Sequence, residues 1–363
     1  MYLIPSRGAP GAAAAAVLAG VVGTALAGAA LLSGCGGTST GPPPAARSGA
    51  PSPAPGHESQ TPTARPAPSG PSHAVLPAGR IGTYRVRRYA LEVGYRPAGQ
   101  PARRVLRVFV SYPAVPRAAG DLGHGLFPLV VFAPGYRQCA AVYRVLLREW
   151  ASAGYVVAAV QFPRTNCQVA APDEADLVHQ PADMSQVIGR LLAAGRRPGG
   201  RLSGLVDGAK VAVAGHSDGG DTVAAMVAST CCRDRRVSAA VVLAGAEWPA
   251  MPGRYFAAPT VPMLFVQGTA DTWNPQSASL QLYQADTRGR RYYLALPGVG
   301  HFTPYEGGGP PEPVVARVTV DFLDRYLAGQ AGALGAMRRA ARAVGRGRLV
   351  SGGRLPHLGG TEP

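Results

Sequence analysis

Two hydrophobic rhythms alternate between Ile81 and Ala328, short apolar runs and longer stretches at helical spacing. Residues 84–95 and 104–112 alternate in part, with Val105, Arg107 and Phe109 set against Leu106, Val108 and Val110, and predict two antiparallel strands. Residues 126–133 are a hydrophobic run, the pattern of a strand buried on both faces. Pro134-Gly135-Tyr136 then breaks the chain, and 140–153 returns to helical spacing. The next buried strand is expected at 155–160 and an amphipathic helix at 181–194. Val211 to Ala214 form a short buried strand, followed by an apolar run at helical density over 223–228. Further strands are expected at 237–244, 261–267 and 291–296, with helices near 275–285 and 311–328. Such alternation predicts a mostly parallel sheet with helices on both faces, a single α/β domain over 78–329.

The flanks read differently. In residues 1–34, Arg7 supplies a thin positive start, and 11–32 is an apolar stretch rich in Ala and Gly. By length it would pass for a membrane helix. It ends, however, in Leu32-Ser33-Gly34-Cys35, which resembles the bacterial lipobox. That resemblance implies a lipoprotein signal peptide cleaved before Cys35, lipidation of the Cys35 thiol, and an extracytoplasmic protein anchored to the outer face of the cell membrane. An uncleaved anchor and an ordinary secretory signal are the alternatives. Residues 35–77 are dominated by Pro, Gly, Ser, Thr and Ala and hold almost no large apolar side chain, so a disordered tether is expected. From 330 to 363 the chain is a basic low-complexity segment, with six arginines from Arg338 to Arg354. It is expected to be a solvated tail, the alternative being a short basic helix over 333–344 at a membrane surface.

The chain has 363 residues, 47% of them hydrophobic, enough for a sizeable core. Its formal net charge is +16, almost all from arginine, since Lys210 is the only lysine. No basic stripe interleaved with aromatics is visible, so a nucleic-acid partner is not expected. The charge favours anionic envelope lipids or polymers instead. No Cys or His spacing suggests zinc, and no glycine loop is built to cradle phosphate, so neither metal nor organic cofactor is expected.

Candidate chemistry begins at Gly215-His216-Ser217-Asp218-Gly219, the pattern Gly-x-Ser-x-Gly between a strand and a helix. A serine on so sharp a turn is held in strained backbone with its hydroxyl over the sheet edge. The bland alternative is Ser217 capping a helix. A serine hydroxyl needs a base, and the base needs an orienting acid. In open α/β sheets these groups converge at the carboxyl ends of the strands. Asp271 follows the strand at 261–267, and His301 follows the last strand, in Gly298-Val299-Gly300-His301-Phe302. The order Ser, Asp, His suits this arrangement. Glu247 is the rival acid and His179 the rival base; His216 adjoins the nucleophile but should point away from it. The backbone N–H groups of Asp218 and Tyr136 are the candidate oxyanion donors, with the Tyr136 ring available to line the acyl pocket.

These residues resemble the α/β-hydrolase superfamily over roughly 80–328, most nearly the bacterial secreted lipase, cutinase and polyester-hydrolase branch and the platelet-activating-factor acetylhydrolase-like enzymes. The resemblance rests on the Pro-Gly-aromatic turn at 134–136, Gly-His-Ser-x-Gly-Gly at 215–220, Asp271, and Gly-x-x-His-Phe at 298–302. It implies a substrate-binding role for Trp248. Asp218 departs from the Met or Phe usual beside the serine, and 163–207 reads as a longer polar insertion able to act as a lid. Both weigh against polyester or long-chain lipid substrates. In this fold the strands before Cys139 and Cys167 are neighbours, so a disulfide bracing the oxyanion loop is expected. Cys231 and Cys232 are either a vicinal bridge or buried thiols. The expected activity is hydrolysis of a small-molecule or lipid carboxylic ester through an acyl-enzyme, by a monomer. The alternatives are a peptidase or amidase of the same fold, or a non-catalytic envelope-binding lipoprotein.

Overall fold

The computed structural model describes residues 80–99, 101–115, 127–307, 309–343 and 347–352. The expected signal peptide, Cys35 and the tether lie outside the described residues, as do His57, His73, His124 and His357.

Nine strands form one sheet in the order β1-β2-β4-β3-β5-β6-β7-β8-β9. They are β1 (Val86–Tyr95), β2 (Arg104–Pro113), β3 (Phe127–Ala133), β4 (Val156–Gln161), β5 (Val206–His216), β6 (Val237–Leu243), β7 (Met263–Gly268), β8 (Arg291–Leu296) and β9 (Arg348–Ser351). The six central strands from β4 to β8 run parallel, while the pairings β1–β2 and β2–β4 at one edge and β8–β9 at the other are antiparallel. Side chains alternate faces along a strand, so β3 sends Leu129 and Val131 into one apolar cluster and Val130 and Phe132 into the other. The first face is covered by α2 (Gln180–Arg196), α3 (Asp218–Ala228) and α4 (Gln276–Ala285), through Met184, Ile188, Val223 and Leu282. The second is covered by α1 (Arg144–Ser152), α5 (Pro311–Tyr326) and α6 (Ala333–Ala343), through Leu146, Trp150, Phe322 and Met337. A parallel strand buried on both faces has no polar side to show, which is why β3 and β4 read as unbroken apolar runs. This is the expected α/β class, with strand and helix ends displaced by a few residues.

Two expectations are corrected. The 163–207 segment is not a lid as a whole. A 3₁₀ helix (Glu174–His179) and α2 occupy most of it, and both are fastened to the sheet. The buried Arg104 guanidinium on β2 holds Asp176 at 2.7 and 2.8 Å and Asp183 at 2.9 and 2.6 Å, and Tyr95 donates to Asp183 at 2.7 Å. A planar fork between two carboxylates fixes orientation as well as position. The tail is the second correction: the alternative helix over 333–344 is present as α6, but it packs on the sheet. Among its described residues, Met337 and Ala341 are buried on the second face, and β9 pairs with β8 from Tyr292↔Ser351 to Ala295↔Arg348. The basic composition hid a stripe (Ala333, Met337, Ala341) at helical spacing, its arginines pointing outward.

The disulfide from Cys139 to Cys167 is present, Cα–Cα 5.1 Å, and joins the segments after β3 and β4. Cys231 and Cys232 are bridged to each other. A chain truncated after Gly329 is expected to lose about 3 kcal/mol, from re-exposing the α6 stripe and β9. That lowers the melting temperature by on the order of 6 °C for a domain of this size. An unchanged melting curve would show that α6 and β9 do not contribute to the core.

Candidate active site

The end of β5 fixes the site. Ser217 has φ 55° and ψ −126°, a conformation that non-glycine residues rarely adopt. Ser217 N–H bonds to the Leu243 carbonyl at 2.9 Å, tying the turn to β6. The neighbours must be glycine because a Cβ on Gly215 would strike the Gly219 backbone, and one on Gly219 would strike the Ala133 carbonyl. These close approaches let α3 start against the sheet with Ser217 at the apex, as Gly-x-Ser-x-Gly leads one to expect.

Asp271 and His301 come to meet it from the loops after β7 and β8. His301 Nε2 lies 2.9 Å from Ser217 Oγ, and its Nδ1 lies 2.7 Å from Asp271 Oδ2. Asp271 also accepts N–H bonds from Trp273 and Asn274, both at 2.9 Å, and one from Gln267 at 2.8 Å. Burial alone would raise its pKa, but these donors and His301 hold it below the ordinary carboxylate value. Asp271 therefore stays ionised and keeps the His301 proton on Nδ1, leaving Nε2 free to accept from Ser217. Glu247, the rival acid, is exposed in the loop after β6, and His179 ends the 3₁₀ helix.

His216 does more than point away. It is fully buried and its ring packs 4.7 Å from that of His301. Its Nε2 lies 3.0 Å from the His301 carbonyl, which can only accept, so Nε2 carries the proton. Its Nδ1 then accepts from Tyr143 at 2.9 Å, and the Tyr143 oxygen accepts from Gly135 N–H at 3.1 Å. Burial, then the neighbouring His301, lowers the His216 pKa to about 3, which keeps the imidazole neutral.

The turn at Gly135-Tyr136 lies directly against Ser217, since a Cβ on Gly135 would sit 3.1 Å from Ser217 Cβ. Tyr136 donates its hydroxyl to the Pro172 carbonyl at 3.0 Å, and Arg137 N–H bonds Thr165 at 2.7 Å. Tyr136 is thus pinned from the 163–179 stretch, which the Cys139–Cys167 bridge also anchors. Asp218 opens α3, where a backbone N–H has no helical acceptor. Its side chain is buried, and Oδ2 has no hydrogen-bond partner. Burial and then Glu174 raise its pKa to about 7, partly offset by its own backbone N–H.

The structure therefore joins Ser217, His301 and Asp271 by hydrogen bonds and sets Tyr136 and Asp218 beside the serine. Trp248 is half-buried after β6, with no hydrogen bond or ring contact from its indole to Ser217 or His301. Trp273 was missed. It stacks on His301 at 6.3 Å with an interplanar angle of 23°, while remaining 71% exposed. Its place two residues after the candidate acid, as a large ring in a polar turn, was the available signal.

A mostly parallel sheet with a strained serine at the end of its central strand defines an α/β-hydrolase. Comparison with protein-family models matches residues 109–332 to the PET hydrolase-like family, PETase. The chain belongs to that family, and with it to the ester hydrolases of the α/β-hydrolase fold. No curated protein matches the chain.

Asp218 has a consequence for pH dependence. Below its pKa of about 7 the carboxyl is neutral; above it, the charge opposes any negative charge developing beside Ser217, and its nearest acidic neighbours, Glu174 and Asp221, offer no compensation. The activity ratio of Asp218→Asn to the parent should thus rise by on the order of tenfold between pH 6 and 8.5. Paired kcat/KM profiles test this; a ratio that stays flat excludes the effect.

Proposed function

We propose that the protein hydrolyses carboxylic esters through an acyl-enzyme on Ser217. The observation that supports this best is the unbroken hydrogen-bond series Ser217–His301–Asp271 at 2.9 and 2.7 Å. In this reading Ser217 Oγ attacks the ester carbonyl as His301 Nε2 takes its proton. The tetrahedral oxyanion is met by the N–H groups of Tyr136 and Asp218. His301 gives the proton to the departing alkoxide, leaving the acyl group on Ser217. Water then attacks the acyl-enzyme, its proton passing to His301 and from there to Ser217, and the carboxylic acid is released. Asp271 stays ionised throughout and stabilises the imidazolium. The Trp273 ring, stacked on His301, serves as an apolar wall for the substrate, with Tyr136 and Trp248 as further candidate walls.

The reading includes an extracytoplasmic, lipid-anchored setting. Leu32-Ser33-Gly34-Cys35 supports it, as do two cysteine pairs placed to be oxidised, since disulfides persist in oxidising compartments.

Hydrolysis of p-nitrophenyl esters from acetate to palmitate tests the chemistry. Ser217→Ala should lower kcat by on the order of 10³–10⁶-fold, and Asp271→Asn by about 10⁴-fold. The chain length giving the highest kcat/KM sizes the acyl pocket. Equal turnover by Ser217→Ala and the parent would remove the serine mechanism.

A further inference from the structure

A cavity of about 390 Å³ lies where β1, β2 and β4 pass α1. None of Ser217, Asp271 or His301 lines it. It exists because α1 starts only at Arg144, so the segment 139–141 crosses the sheet as a turn and leaves part of the second face uncovered. Its floor is apolar, with Phe109, Leu147 and Val157 among the side chains present. Three exposed guanidinium groups, Arg88, Arg107 and Arg144, stand at its rim. Among the described residues none of the three makes an ion pair; Glu92 lies across from Arg107 in the β1–β2 register without bonding to it, and Arg107 lies over the Phe109 ring, 5.2 Å from its centre.

The chemistry of this lining selects its ligand. An apolar floor in a cavity of this size favours a hydrocarbon or aryl body. Unpaired guanidinium forks, weakly hydrated, match a planar carboxylate. A cationic head would be repelled by three like charges, and a small polar anion would leave the floor empty. We infer that this cavity is a binding site, separate from Ser217, for a carboxylate carrying an apolar tail. Ester hydrolysis releases molecules of that chemical class, though binding here does not depend on the chain's own turnover. The site borders Cys139, and so adjoins the bridge that holds the Gly135-Tyr136 turn.

Calorimetric titration of the full chain with octanoate tests the inference. Acetate and octylammonium serve as the tail-less and opposite-charge probes. Octanoate should bind while acetate and octylammonium do not. The double substitution Arg107→Gln and Arg144→Gln should weaken octanoate by about tenfold, as expected for two exposed charge pairs. Arg88→Gln, from a different strand, should weaken it independently, and melting curves confirm that each variant is folded. Octanoate binding that survives all three substitutions unchanged would place it elsewhere, at Ser217 included. Equal binding of octylammonium would reduce the cavity to an unselective apolar groove. Either result, or no octanoate binding at all, overturns the proposal. Loss of ester turnover in the Ser217→Ala control bears only on the catalytic reading.

Discussion

His216 is sealed in the interior with one N–H and one lone pair, and both are committed to opposite sides of the site. Its Nε2–H holds the backbone of His301, and its Nδ1 receives the hydroxyl of Tyr143, which in turn receives the Gly135 N–H. One neutral imidazole therefore spaces the loop after β8 from the turn after β3, and Ser217 stands in the gap between them. A buried polar group left unpaired costs about 1–3 kcal/mol, so neither loop can drift without stranding a member of this chain. Protonation would break it, because an Nδ1–H could no longer accept from Tyr143. Burial prevents this at neutral pH by disfavouring the charged form.

The fold and the meeting of Ser217, His301 and Asp271 were legible for a physical reason. Parallel strands buried on both faces must be apolar throughout, so 126–133 and 155–160 announced themselves. The elbow is equally constrained, because backbone touches backbone at Gly215 and Gly219 and no other residue fits. His301 and Asp271 follow strand ends, where the order of elements alone narrows the choice. What stayed hidden depended on contacts distant in sequence. Nothing local reveals that Asp176 and Asp183 close on Arg104, some seventy residues earlier, so the 163–207 segment read as a polar insertion. The α6 stripe was obscured because alanine and one methionine carry little hydrophobic signal beside so many arginines.

Those two corrections alter the picture of the site's surroundings in the same direction. The stretch that seemed free to open is held from beneath by a buried guanidinium, and it reaches the neighbourhood of Ser217 only through its first part, where Thr165 and Pro172 grip Arg137 and Tyr136. The segment that read as a solvated tail extends the sheet beyond β8, the strand from which the His301 loop departs. The serine is thus framed by fastened elements on both sides.

Trp273 gives the molecule an optical consequence. The chain has three tryptophans, of which Trp150 is fully buried and Trp248 half-buried. Only Trp273 is both open to solvent and stacked on the imidazole of His301. An indole open to solvent changes its emission when water around it is displaced. A molecule that settles beside Ser217 should therefore alter the Trp273 signal, making this ring an intrinsic fluorophore for occupancy without any label.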